Sequence, residues 1–279
     1  MGGRRWEDVP MDCLVFIFSK LGLEDLTVGV PFVCKSWNGA AKDPLCWRTL
    51  DFQNLNLAAD SRFAEKFKRE FHAQSFSFSS LFRLAIARSH GSATKLFLPP
   101  SLSSGENLQQ DLIWASTRCP RLKELSLPTL HRRDDEHIPK LITQWKELEE
   151  LEMKWKPVSF LETLEAMKLG CPNIAELRLS GFFNVRDADA IAKCLPKLQR
   201  LKMTGSFLRK EVLLRIMEGC RELQAVHISS CRGFEEDDDE VLKKAKGMKR
   251  FHCVGCRAEQ DCGLYGGYSE LFLSMIIGY

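Results

Sequence analysis

A chain of 279 residues, 44% hydrophobic and 28% charged, is long enough to bury a sizeable core and has the composition of an ordinary soluble protein. Its net charge of +3 is too small to point to nucleic acid or an anionic membrane as partner. No run approaches the roughly 20 apolar residues a membrane helix needs, and Glu7 and Asp8 stand where the apolar core of a secretory signal would begin.

Residues 1–50 read as a small helical module. Asp8 is placed to cap a helix with Pro10 in its first turn, and Gly22 to end it. Leu14, Ile17, Phe18 and Leu21 make one apolar face, yet Cys13, Val15 and Phe16 are apolar too. A helix of about three turns that is hydrophobic nearly all round must be buried on more than one side. A module this small cannot do that alone, so part of its surface must meet another protein or the rest of the chain. Residues 26–30 predict a second short helix. Val33, Ser36, Trp37 and Ala40 mark a third, with Pro31 in its first turn, and Asp43-Pro44 opens a last turn carrying Trp47. Both tryptophans read as core.

Residues 51–92 form a connecting segment and a first irregular repeat. Within them Phe63, Phe67 and Phe71 stand at four-residue spacing on a predicted helix, an aromatic stripe that packs the start of the repeat array. The Ser/Phe-rich residues 75–80 read as a loop or short strand.

From residue 93 to 256 the chain repeats itself. CPRLKELSL, WKELEELEM, CPNIAELRL, LPKLQRLKM, CRELQAVHI and the degenerate AKGMKRFHC all carry L-x-x-L-x-L, with first apolar positions at Leu122, Leu148, Ile174, Leu198, Leu223 and Met248. The intervals are 26, 26, 24, 25 and 25 residues, and an earlier unit begins at Ala93. That period is the signature of leucine-rich repeats. Seven residues before each first position lie Ala115, Leu141, Met167, Ile191, Ile216 and Val241, and three before it Cys119, Trp145, Cys171, Leu195, Cys220 and Ala245. With Ile138, Leu164 and Leu213 ten before, they line one helix face. Each repeat is therefore a strand and a helix that bury their apolar faces only when stacked on neighbours.

Of the eleven cysteines, the closely spaced pair Cys253 and Cys256 is explained by this pattern. Cys231 and Cys256 fall in the Asn/Cys slot after the strand, and Cys253 in a strand core position, so the CxxC spacing marks structural thiols rather than a metal or redox centre. Residues 235–240 form an acidic run that opens a helix and favours its positive end. Residues 257–279 read as a cap or flexible tail. No phosphate loop, zinc-hydrolase motif or nucleophile elbow is present, and no cofactor or metal is implied.

WEDVPMDCLVFIFSKLGLEDLTVGVPFVCKSWNGAAKDPLCWRTLDF resembles an F-box, especially that of plant F-box/leucine-rich-repeat proteins. Val9-Pro10, Ile17-Phe18, Glu24-Asp25-Leu26, Val33-Cys34-Lys35-Ser36-Trp37 and Asp43-Pro44 with Trp47 carry the likeness; Val9 replaces the usual Leu, and Pro31 is unusual. The resemblance implies an α/β architecture, a three-helix F-box followed by a short solenoid with parallel strands inside and helices outside. It also implies a non-catalytic substrate receptor of a ubiquitin ligase, in the nucleus or cytoplasm, that binds a Skp-type adaptor and through it a cullin. Adaptor contacts carried over are Val9, Pro10, Leu14, Ile17, Phe18, Leu21, Leu26 and Val33. A leucine-rich-repeat scaffold outside any ligase, or a small-molecule sensor, are the competing functions, and the target protein is not readable.

In each strand the leucines point inward, so the residues between them line the concave surface. They are Lys95 and Phe97, Glu124 and Ser126, Glu150 and Glu152, Glu176 and Arg178, Arg200 and Lys202, Ala225 and His227, Arg250 and His252. This face reads as acidic in the middle and basic toward its C-terminal end, which predicts a substrate segment with basic residues followed by acidic ones.

Overall fold

The computed structural model describes residue 6, residues 9–100, residue 102 and residues 108–258. The repeat strands are β1 (Thr49–Asp51), β2 (Lys95–Phe97), β3 (Glu124–Leu127), β4 (Glu150–Met153), β5 (Glu176–Leu179), β7 (Arg200–Thr204), β9 (Ala225–Ser229) and β10 (Arg250–Val254). They lie in chain order in one parallel sheet, and two short strands, β6 (Phe182–Phe183) and β8 (Phe207–Leu208), pair beside it. Leu50, Leu96, Leu125, Leu151, Leu177, Leu201, Val226 and Phe251 are successive register partners. All but Phe251 are buried. A slip of one residue would turn this whole row out to solvent, which is why the register is firm.

The other layer is helical: α4 (Phe78–Ser89), α5 (Leu108–Arg118), the short α6 (Arg132–Asp135) and α7 (Ile138–Ile142), α8 (Phe160–Gly170), α9 (Val185–Cys194), α10 (Lys210–Gly219) and α11 (Asp239–Ala245). The residues expected to face inward from these helices do so: Ala115, Leu141, Met167, Ile191, Ile216, Val241, Ile138, Leu164 and Leu213 are all buried. Each Leu, Ile, Val or Met side chain among them contributes about 1.5–3 kcal/mol by leaving water.

Charged groups close the turns between repeats. Asn184 and Asp187 form a reciprocal cap at the start of α9, and Lys156 pairs with Asp187 at 2.8 Å. Asp135, 2% exposed, receives the amide N–H groups of Val158 at 2.5 Å and Ser159 at 3.1 Å, and the Ser159 hydroxyl as well. Asp135→Ala strands these donors, so it is expected to lower unfolding free energy by about 2 kcal/mol in urea denaturation. A change below about 0.5 kcal/mol would mean that water replaces the carboxylate.

In the N-terminal module α1 (Met11–Phe18) begins after Pro10, which occupies the capping position, and is shorter than expected; Asp8 lies outside the described residues. The predicted second helix is instead a wide helical turn over Asp25–Gly29 followed by a tight one over Val30–Phe32. Pro31 sits in that tight turn, not in the next helix, and its carbonyl accepts Asn38 Nδ2 at 2.8 Å. The third helix, α2 (Lys35–Ala41), starts behind Cys34, whose sulfur accepts the Trp37 amide. Asp43 caps the turn Pro44–Trp47, and Trp47 is buried with Nε1 donating to the Ala41 carbonyl at 2.8 Å. Trp37 is half-buried, edge-on to Phe18.

Two features of the junction differ from expectation. Trp47, Leu50 and Phe52 are all buried and form an L-x-x-L-x-L unit with aromatic ends, so β1 lies across the expected boundary at residue 50. Residues 75–80 are neither loop nor strand throughout: Ser77 caps α4 by accepting the Ser80 amide. The aromatic stripe of α3 (Arg62–Phe71) does pack inward at Phe63 and Phe67, while Phe71 turns to Phe32 of the N-terminal module, ring centres 5.9 Å apart. Residues 259–279, most of the expected tail, lie outside the described residues.

Candidate functional site

Two surfaces stand out, one on each part of the chain. On the N-terminal module the eight predicted adaptor contacts divide into three groups. Leu14, Phe18 and Leu26 are buried at 0%, 2% and 1% exposure. They hold the module together and present no surface to a partner. Val9 and Leu21 are half-buried. Pro10, Ile17 and Val33 are exposed.

Beside them stand exposed apolar residues that were not among the predicted adaptor contacts: Met11, Phe16, Phe32 and Leu45. Helical spacing explains the division. Leu14 and Phe18, four apart, share the inward face, and Phe16 lies on the opposite side of α1 with 68% of its surface open. The excess of apolar residues in this helix was legible; the face left over once the interior is filled is the signal that would have found Phe16. Exposed large apolar groups on so small a module mark an interaction surface.

The second surface is the concave face of the sheet. Glu150 receives Arg178 at 2.9 Å and Arg200 at 3.0 Å, and the same two guanidiniums also bond Glu176. Lys95 pairs with Glu124 at 2.6 Å, and Glu152 accepts from Lys154 at 2.8 Å and from the Ser126 hydroxyl at 2.6 Å. Ser126 is fully buried beneath these groups and takes Gln53 Nε2 at 2.9 Å; Phe97 is half-buried. The acidic middle expected from the sequence is therefore neutralised within the face. It is an ion-pair ladder, not a field for a basic ligand.

The electrostatics follow the geometry. Burial works against the Glu176 carboxylate, but hydrogen bonds from Arg200 and Arg178 outweigh it and hold its pKa below the usual value. Glu150 is pushed up, by burial first and then by Glu176 and Glu124, against the pull of the two arginines. A depressed carboxylate contributes stability above its unfolded pKa and loses it as pH falls through the folded one. Glu176→Gln is thus expected to cost about 1–3 kcal/mol at pH 7 and to flatten the loss of stability below about pH 4, as read by denaturation across pH. An unchanged acid limb would remove Glu176 from the account.

Toward the end of the array the face is cationic. Lys202 and Arg250 are exposed and have no ion pair among the described residues. His227 and His252 stack with ring centres 4.8 Å apart.

Cys231 occupies the predicted slot, its thiol donating to the carbonyls of Met203 at 3.6 Å and Ser229 at 3.5 Å. Burial pushes the thiols of Cys119 and Cys220 up to about 11 and that of Cys171 up to about 12. Cys253 is half-buried, less enclosed than its strand position implied, because β10 is the last strand of the sheet. Cys253 donates to Cys256 at 3.2 Å, and hydrogen bonding from the neighbouring thiols, Cys231 before Cys253, holds Cys256 below its ordinary value against burial. Among the described residues no group of three or more His, Cys, Asp or Glu is placed to hold a metal ion.

Residues 6–53 match the F-box-like domain family. Over nearly its whole length the chain is similar to Arabidopsis thaliana proteins. An F-box/LRR-repeat protein is 29% identical, over 95% of this chain and 91% of its own. F-box protein FBW2 is 27% identical, over 88% and 74%, and F-box protein SKIP19 26% identical, over 81% and 69%. F-box proteins are in general non-catalytic subunits of SCF-type ubiquitin ligases, and the domain implies binding of a Skp-type adaptor. The chain thus carries an F-box-like domain at its N-terminus with parallel repeat strands stacked behind it, and along most of its length it is similar to plant F-box/LRR-repeat proteins.

Proposed function

We propose that this protein is the substrate-recognition subunit of an SCF-type (Skp–cullin–F-box) ubiquitin ligase acting in the nucleus or cytoplasm. The F-box takes the adaptor, and through it the cullin, by the exposed apolar groups Pro10, Phe16, Ile17 and Val33. The concave face takes a target protein. The observation that carries this reading is the way the two parts are joined. Trp47 closes the F-box and begins the first repeat unit, and Phe32 packs on Phe71 of α3. A target held on the sheet is thereby kept at a fixed offset from the adaptor. Ubiquitin transfer in such an assembly needs this positioning, not acid–base groups from the receptor.

Eight strands at about 4.8 Å spacing give a face roughly 34 Å long, enough for an extended segment of about ten residues. Gel filtration of the full chain mixed with a purified Skp-type adaptor tests the proposal. A one-to-one complex that also recruits a cullin is expected. No complex, with an adaptor that binds a control F-box protein, would overturn it and leave a repeat scaffold outside any ligase.

A further inference from the structure

The concave face carries two kinds of surface, and the change falls between β5 and β9. On β2 to β5 every carboxylate has a cation of the same face as partner: Glu124 with Lys95, Glu152 with Lys154, Glu150 and Glu176 with Arg178 and Arg200. On β7, β9 and β10 the face residues are Arg200, Lys202 and Thr204, then Ala225, His227 and Ser229, then Arg250, His252 and Val254. None is acidic.

The register arranges them as a grid. Arg200, Ala225 and Arg250 form one row, and Lys202, His227 and His252 the next. Ala225 leaves a notch between two guanidiniums, and the stacked imidazoles make a flat step beside it. Burial, then Lys202 and His252, hold His227 below its ordinary pKa, and the exposed Lys202 and Arg250 carry the permanent charge of this end.

No ion pair among the described residues joins the acidic run 235–240 to Lys202 or Arg250. Glu235 and Glu236 accept the amides of Ala258 at 3.0 Å and Gly255 at 2.6 Å, and Asp238 and Glu240 pair with Lys210 on α10. The upstream half of the face thus shows how its cations are satisfied, by carboxylates lying across neighbouring strands. In the downstream half Lys202 and Arg250 have no carboxylate partner among the described residues.

We infer that the β7–β10 end of the concave face docks a carboxylate-rich segment of the target protein, which completes the ion-pair ladder on Lys202 and Arg250 with the His227/His252 pair as its platform. This rests on the receptor reading above. It narrows the target from a segment with both signs of charge to an acidic one.

Selection on the purified full chain tests it, with a random dodecapeptide bead library and the same library carrying a fixed central phosphoserine, at about 150 mM salt. The wild type is expected to retain beads enriched in Asp and Glu from the first library. Lys202→Glu with Arg250→Glu is expected to cut recovery of those beads about tenfold or more. Arg215→Glu with Lys244→Glu, the same charge change on the outer helices α10 and α11, is expected to leave recovery unchanged. A retained pool no more acidic than the input, or an equal pool on the double reversal at the concave face, overturns the inference. Retention only from the phosphoserine library overturns the carboxylate assignment. Adaptor binding is measured on the same preparations. If it persists while the selection fails, the docking site falls and the receptor reading stands; if the wild type binds no adaptor, the receptor reading falls by itself.

Discussion

Phe16→Asp and Ile17→Asp are each expected to weaken adaptor binding about thirtyfold or more, roughly 2 kcal/mol, without moving the thermal unfolding of the chain. Both side chains are exposed, Phe16 at 68% and Ile17 at 42%, so in the free protein they contribute little and a carboxylate in their place meets water. Surface changes of this kind stay within about 0.5 kcal/mol of neutral. Across an interface the same carboxylate would be desolvated against apolar surface with no partner.

Leu14→Asp separates surface from interior. Leu14 is fully buried, so the substitution places an unpaired charge in the module's core and is expected to lower both the melting temperature and adaptor binding. Calorimetry against purified adaptor, with circular dichroism melts of each variant, reads both quantities. Full-strength binding by both surface variants would move the adaptor site away from α1, and Phe32, Val33 and Leu45 would become the residues to test.

Much of this architecture is legible in the sequence because repetition supplies its own control. Near-equal intervals from Leu122 to Met248 fix the strands, and the residues between them independently give the helix face. Legibility failed where the pattern was disguised or where contacts cross the chain. Trp47-x-x-Leu50-x-Phe52 is a repeat strand, but its end residues are aromatic and it stands 46 residues ahead of Ala93, with α3 and α4 inserted between. Ser77 lay hidden in a Ser/Phe run, although a serine ahead of Leu81 and Phe82 is a helix-start signal. In α1 apolar residues on every side leave periodicity without a contrast, so buried and exposed members could not be told apart. On the concave face the sequence names the charged residues but not their pairing. Arg178 and Arg200 reach Glu150 across 28 and 50 residues of chain, and only strand order brings them together. A charge map read strand by strand therefore mistook a neutral ladder for an acidic field.

Gly233→Val is expected to destabilise the C-terminal repeats by about 3 kcal/mol or more while leaving adaptor binding intact. Gly233 follows Cys231 in the turn after β9 and has φ +127, a conformation that L side chains rarely adopt. A Cβ there would stand 2.5 Å from the Leu208 carbonyl oxygen, 2.8 Å from its carbonyl carbon and 3.0 Å from Arg209 Cα. These are backbone atoms of the preceding repeat, and no rotamer change can move them aside. Strain of about 1–3 kcal/mol at the residue adds to overpacking of similar size. The turn also donates Gly233 N–H to the Arg257 carbonyl at 2.9 Å, so displacing it loosens the last repeat from its neighbour. Because each repeat of a solenoid contacts only those next to it, the damage stays near β9 and β10, far along the sheet from the F-box. Gly247→Ala, with open space around its Cβ, serves as the matched control and is expected to change stability by less than about 0.5 kcal/mol. Hydrogen exchange would show faster exchange in residues 225–254 for Gly233→Val and native protection in residues 9–100. If protection is lost uniformly, the F-box and the repeats unfold as one unit; if it is kept everywhere, the turn has room that the 2.5 Å approach denies.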